Sequence, residues 1–280
     1  LSPYAVSRAA VVGMYNLFDF SALPWHLVSC FLFAAIVALL ASVCGRLWNH
    51  AGYGNSAQLQ WAFAALFVLA PYHTETIVWA GAFNYLVVGL CVAAGLYYAL
   101  RYLERLQKSD LMWTAASLLA GCFAHEWGLF GLAAMVLLAL HRGNWRKQNF
   151  RATAIIGTIA IACGALYFVN QYRSGALIAH YGADVHLNFQ WRDITVAFWK
   201  YVLKIVLLSG FWPVSVQDSL YALMNKPVVT WGLLLVAAAM LLFALYRISY
   251  GKARGSVAWL FFLWFALFVF PVLNLYFPHW

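Results

Sequence analysis

Apolar residues run through this chain in long blocks, and its charges gather in the gaps between them. Four runs, Pro24–Leu47, Asn84–Arg101, Arg151–Asn170 and Val229–Arg247, approach or exceed the roughly 20 residues a helix needs to cross a hydrocarbon core of about 30 Å. A fifth, Val257–Leu275, closes on Pro271 and Asn274. Shorter runs cover Ala57–Ala70 and, on either side of His125–Glu126, Leu111–Ala124 and Trp127–His141.

Leu111–His141 would measure about 46 Å as one helix at 1.5 Å per residue, too long for a single crossing. A hairpin of two short helices also sorts the charges. It gathers Arg46, Arg101, Arg105, Lys108, Arg142, Arg146, Lys147, Arg151, Arg247, Lys252 and Arg254 on one side, with only Glu104 and Asp110 opposing them. The other side keeps six basic and six acidic residues. The excess of Lys and Arg in cytoplasmic loops names the first side cytoplasmic.

The pattern thus predicts an all-α polytopic membrane protein of about eight spans forming a single transmembrane domain over 1–280. Six spans fall within 24–170 and two within 229–275. Residues 1–23 are expected to form an outer juxtamembrane segment and 171–228 an outer loop. Within that loop Asp193, Lys200 and Lys204, spaced seven and four apart, share one face of the otherwise apolar stretch 191–209. An amphipathic helix lying in the outer interface fits this stripe. A ninth span is the alternative, and it would expose Arg247–Arg254 outside.

Composition agrees. Only 9% of the 280 residues are charged and 65% are apolar, against about 25% charged in soluble domains. The net charge of +9 is the loop asymmetry and not a nucleic-acid patch. The five cysteines (Cys30, Cys44, Cys91, Cys122, Cys163) all lie in apolar runs with neither disulfide nor metal spacing. They are expected to be buried small hydrophobes. The chain starts on Leu1 and stops just after an apolar run, and it is read as a piece of a longer protein.

Enzyme signatures are few. His125-Glu126 has no second His four residues on, Gly251-Lys252 belongs to no phosphate loop, and no symmetric pair of broken helices stands out. Attention falls on Glu75 and Glu126, the two carboxylates set in apolar sequence, each at the outer end of a short run of about 21 Å. Intramembrane carboxylates are costly and mark functional sites. His73 and His125 stand beside them, able to pair with the carboxylate, to meet a phosphate, or to be satisfied by backbone. His26 opens the first span beside Trp25, where interfacial anchoring is the simpler role. Arg173, Arg192, Lys200, Lys204 and Lys226 are cations on the face that should be poor in them. Together they fit an anion at the outer interface, such as a lipid-linked phosphate. Trp79, Tyr85, Trp191, Trp199, Trp212 and Tyr221 read mainly as interfacial belt residues, with sugar stacking open to one or two.

The run PYHTETIVWAGAFNYLVVGL at 71–90 resembles the stretch after the third transmembrane helix of GT-C glycosyltransferases, above all the tetratricopeptide-bearing O-mannosyltransferases and their bacterial relatives. Pro71, His73, Glu75, Ile77 and Trp79 fall on that family's pattern, while Ala70 and Phe83 replace its first His and its Arg. Residues 2–40 resemble its juxtamembrane region and second helix, with Pro3, Tyr15, Phe18 and His26 in register and Ser2 in place of an Arg. GCFAHEWG at 121–128 sits where the family has a Lys-Glu pair, His125 replacing the Lys. Trp212-Pro213 and FPVLNL at 270–275 match two outer Pro-containing segments.

The resemblance implies a GT-C-like bundle that moves a sugar, with inversion, from a polyprenyl-phosphate carrier to a hydroxyl on an acceptor protein or glycan. The implied face is periplasmic or luminal, with a bacterial inner membrane favoured. The catalytic acidic base is expected upstream of Leu1. Glu75, Glu126, His73, His125, His26, Arg192, Lys200 and Lys204 are then substrate-binding candidates. No cofactor or resident metal is implied, and a divalent ion assisting the leaving group is left open. Two other readings stand beside it: a transporter or lipid-handling protein with a carboxylate-lined outer cavity, and a non-catalytic scaffold subunit of a membrane complex.

Overall fold

The computed structural model describes residues 4–54, 56–69, 82–143, 149–174, 186–187, 190–207, 209–250, 253–273 and 275–276. Among them are eleven α-helices and one two-residue antiparallel pair. The helices are α1 (Ala5–Phe18), α2 (Ala22–His50), α3 (Ser56–Leu69), α4 (Phe83–Arg105), α5 (Lys108–Ala124), α6 (Trp127–Gly143) and α7 (Asn149–Ser174), followed by α8 (Trp191–Val206), α9 (Val214–Met224), α10 (Pro227–Tyr250) and α11 (Ala253–Leu273). The chain forms two compact units: Leu1–Leu177 with Ile248–Leu260, and Ile178–Arg247 with Phe261–Trp280.

Among the described residues four helices are long and apolar enough to cross a membrane: α2, α4, most of α7 (Arg151–Arg173) and α10. They coincide with the four clear apolar runs. The shorter apolar helices include Trp127–His141 and Ser256–Phe268.

In the first unit α2 and α4 run parallel. Near their starts Trp25 meets Phe83, ring centroids 5.5 Å apart. Near their ends Arg46 pairs with Glu104 at 2.7 Å. Leu106–Gln107 alone joins α4 to α5, so α5 turns back beside α4, and Arg101 reaches the buried Asp110 at 3.2 Å. The direction reverses again at His125–Glu126. Gly121 and Gly128 lie about 10 Å apart along a continuous helix, yet a Cβ on Gly128 would sit 2.3 Å from the Gly121 carbonyl carbon. The backbones touch, so Leu111–His141 is the hairpin. Further along α6, a Cβ on Gly131 would approach the Val92 side chain to 2.6 Å. Close approach at small residues is how helices associate where lipid removes the hydrophobic driving force between them. At the far end of α6 the Thr153 hydroxyl donates to the Ala139 carbonyl at 3.2 Å, bringing α7 back alongside.

These contacts give the unit two unlike ends. One carries Arg46, Arg101, Glu104, Asp110 and the start of α7. The other carries Trp25, Phe83, Tyr85, His125, Glu126 and Trp127. The cysteines follow the packing and not the apolar pattern: Cys44, Cys122 and Cys163 are buried, Cys91 is half-buried and Cys30 is exposed. Cys30 corrects the expectation of buried thiols. An apolar helix whose outer face meets hydrocarbon gives no sign in its sequence of which face is inward.

The hairpin contact yields a direct test. Gly128→Ala places a methyl group against the Gly121 backbone and should cost about 1–3 kcal/mol, lowering the detergent-unfolding midpoint. An unchanged midpoint would mean that the two helices do not meet there.

Candidate functional site

The turn between α5 and α6 holds a carboxylate in an apolar setting, and several elements converge on it. Tyr4, just before α1, donates its hydroxyl to Glu126 Oε2 at 2.6 Å. The His125 Nδ1 lies 3.5 Å from the same oxygen and 3.3 Å from the Trp127 backbone N–H, which points to it as a donor. Backbone carbonyls of His125 and Glu126 accept from Gly128 and Leu129 N–H at 2.9 and 3.0 Å, opening α6. The carboxylate therefore sits at the positive end of a helix dipole, where negative charge is favoured. The Glu126 side chain keeps 19% of its surface exposed and that of His125 only 9%, so the acid opens to its surroundings and the imidazole backs it.

Aromatic rings surround the pair. Tyr85 lies 4.9 Å, Tyr4 5.5 Å and Trp127 6.5 Å from His125 between ring centroids. A carboxylate flanked by an imidazole, a hydroxyl donor and flat ring faces can accept a hydrogen bond from a polyol, whose apolar side can stack on the rings.

His26 lies elsewhere on the unit, in a cavity of about 570 Å³ between α1 and the start of α2, walled by Val12, Tyr15, Phe20 and Trp25. Glu75 and His73 lie outside the described residues.

The predicted cations stand on α8, in the second unit. Its apolar face packs Phe198 against Ala237 and Phe265, and Trp199 donates its indole N–H to the Leu233 carbonyl at 3.1 Å. Of the charged stripe Asp193 and Lys204 are exposed, while Lys200 between them is half-buried. Arg192 donates to the carbonyl of Asn225, the residue that caps α9. It thereby meets an orphan carbonyl at the negative end of that helix, which gives it a structural task. Lys200 lies over the Tyr221 ring, its Nζ 4.5 Å from the centroid. Burial first, and the charge of Lys204 second, hold the Lys200 ammonium below its ordinary 10.5.

The sequence pattern singles out Glu126, His125 and the cation stripe but gives no sign of Tyr4 and Ser7. Tyr85 appeared only as a belt residue. A tyrosine near a membrane surface carries no signal that separates an anchor from a ligand to a carboxylate. Among the described residues, no three His, Cys, Asp or Glu side chains converge to hold a metal ion.

A lowered lysine pKa means that the folded chain resists the charged form. The penalty is full at neutral pH and lifts as pH rises from the folded value towards 10.5. Competitive acylation across pH should therefore give Lys200 a midpoint below 10.5, moved upward by Lys204→Ala; a midpoint at or above 10.5 would contradict the burial. Compared with known proteins, the chain matches no family model, no curated protein and no solved structure.

Proposed function

We propose that the chain is a membrane-embedded glycosyltransferase of GT-C type that moves a sugar from a polyprenyl-phosphate carrier to a hydroxyl acceptor. The observation that carries this reading is the Glu126 carboxylate, held by the Tyr4 hydroxyl beside His125 within a cluster of rings at the end opposite Arg46, Arg101 and Asp110. By the positive-inside rule the basic end faces the cytoplasm and Glu126 faces the periplasm or lumen. About eight spans, with α8 in the outer interface, complete the topology, and a bacterial inner membrane is the setting.

The acceptor oxygen attacks the anomeric carbon, the C–O bond to the carrier phosphate breaks, and the configuration inverts. The acceptor proton passes to a carboxylate acting as general base. Glu126 and Glu75 orient the hydroxyl-bearing substrates, with His73, His125 and His26 as further contacts. Cations stabilise the departing phosphate in such a reaction, and in the second unit Lys200, Lys204 and Arg192 of α8 are the candidates for it.

A second reading has a specific observation behind it. Ionisable pairs stand at both ends of α5, His125 with Glu126 and Arg101 with Asp110, as in a proton-coupled transporter. Transport requires a wet path between them, and transfer requires a pit that closes before the midplane.

The test uses full-length protein in membranes, supplied with a panel of polyprenyl-phosphate sugars. Glu126→Gln and Glu75→Gln should each lower transfer at least about 100-fold with normal expression. Wild-type turnover in both variants would remove these residues from the reaction.

A further inference from the structure

Among α1's residues, Ser7 and Met14 alone are buried. They lie seven apart on one seam, while Arg8, Val11, Val12, Tyr15 and Leu17 face outward. Among the described residues, hydrogen bonds from Tyr4 and Ser7 tie this helix to the hairpin turn. Tyr4 donates to Glu126 Oε2 at 2.6 Å, and Ser7 Oγ donates to the Ala124 carbonyl, in the last turn of α5, at 2.5 Å. Both acceptors belong to the turn that carries the candidate site.

Backbone strain brackets the same helix. Tyr4 has φ 71° and Asp19 has φ 50°, both in the region that L-residues avoid. Asp19 occupies the second position of a tight turn closed by Ser21 N–H to the Phe18 carbonyl at 3.1 Å, and with ψ −141° it takes the conformation a glycine would prefer. Strain of this kind persists where surrounding contacts over-determine it, and it gathers at clamps and switches. Here it sits at the two places about which a short helix would pivot.

The chemistry of the Tyr4 contact completes the argument. A phenol hydroxyl donating to Glu126 makes the bond that a substrate hydroxyl would make to be oriented by that carboxylate. Both cannot occupy Oε2 in the same way. We infer that Tyr4 stands in for the substrate hydroxyl and that α1 is a latch, closed over Glu126 by Tyr4 and Ser7 and released when a hydroxyl-bearing substrate takes Tyr4's place. The latch rests on the reading of Glu126 as the hydroxyl-binding acid. It makes Tyr4 a positioning residue, one that sets how readily the site opens.

Dicyclohexylcarbodiimide tests the latch without any sugar substrate, because it attaches to protonated carboxyl groups in apolar surroundings. The full chain in membranes is treated with the reagent, and modification of Glu126 is followed by peptide mass spectrometry. Asp110, buried at the opposite end of α5, serves as the internal standard for general loosening. Relative to Asp110, Tyr4→Phe should raise the Glu126 rate about tenfold, the scale of a lost hydrogen bond to a charged group. Ser7→Ala should raise it about fivefold, the scale of an ordinary hydrogen bond. Ser7 is the decisive position because its bond is to the Ala124 carbonyl and not to Glu126. A wild-type rate in Ser7→Ala overturns the latch even if Tyr4→Phe labels faster, since the phenol would then act on the carboxyl alone and α1 would not leave. Sugar transfer is read in a separate experiment, so a failed latch and a failed transferase assignment remain distinguishable.

Discussion

A carboxylate in apolar surroundings can be kept ionised only if other groups stabilise its charge, and the first unit meets that constraint at Glu126. Leaving an ionised side chain unpaired at membrane depth costs several kcal/mol. Glu126 meets the demand with a phenol hydroxyl and the first turn of α6, with the His125 ring alongside. Each partner requires a particular backbone path. The chain must turn at His125, α6 must return against α5, and α1 must bring Tyr4 across a separation of 122 residues. The glycine contact at Gly121 and Gly128 makes the turn tight enough to do this.

The opposite end of the unit handles charge in another way. Arg46, Arg101, Glu104 and Asp110 neutralise one another, and Tyr97 lies under both guanidinium groups, 5.4 and 5.7 Å from their central carbons. Such a pair-and-stack cluster ties the helix ends together. Glu126 is partly open where Asp110 is sealed, and that difference separates a candidate site from a structural ion pair.

Legibility in the sequence followed the strength of the physical signal. The spans α2, α4, α7 and α10 were legible because long apolar runs have few other uses. The hairpin was legible because charge counting and length both excluded one straight helix. Glu126 and His125 stood out by their apolar surroundings. Tyr4 and Ser7 did not, because their roles depend on a contact between distant segments, and nothing in AVSRAAVVGMYNLF marks which face turns inward. Arg192 shows the converse. Its charge suggested an anion, while the carbonyl that occupies it becomes available only once α9 ends at Asn225.

The most direct check on the account is the sidedness of the two ends of α5, a helix of 17 residues and so about 25 Å long. In a chain whose five cysteines are replaced by alanine, Glu126→Cys and Lys108→Cys are each exposed to a membrane-impermeant maleimide, in sealed vesicles of known orientation. The account predicts labelling at position 126 from the outer face and at position 108 from the cytoplasmic face. Labelling of both from one face, or of position 126 from the cytoplasmic face, would contradict it.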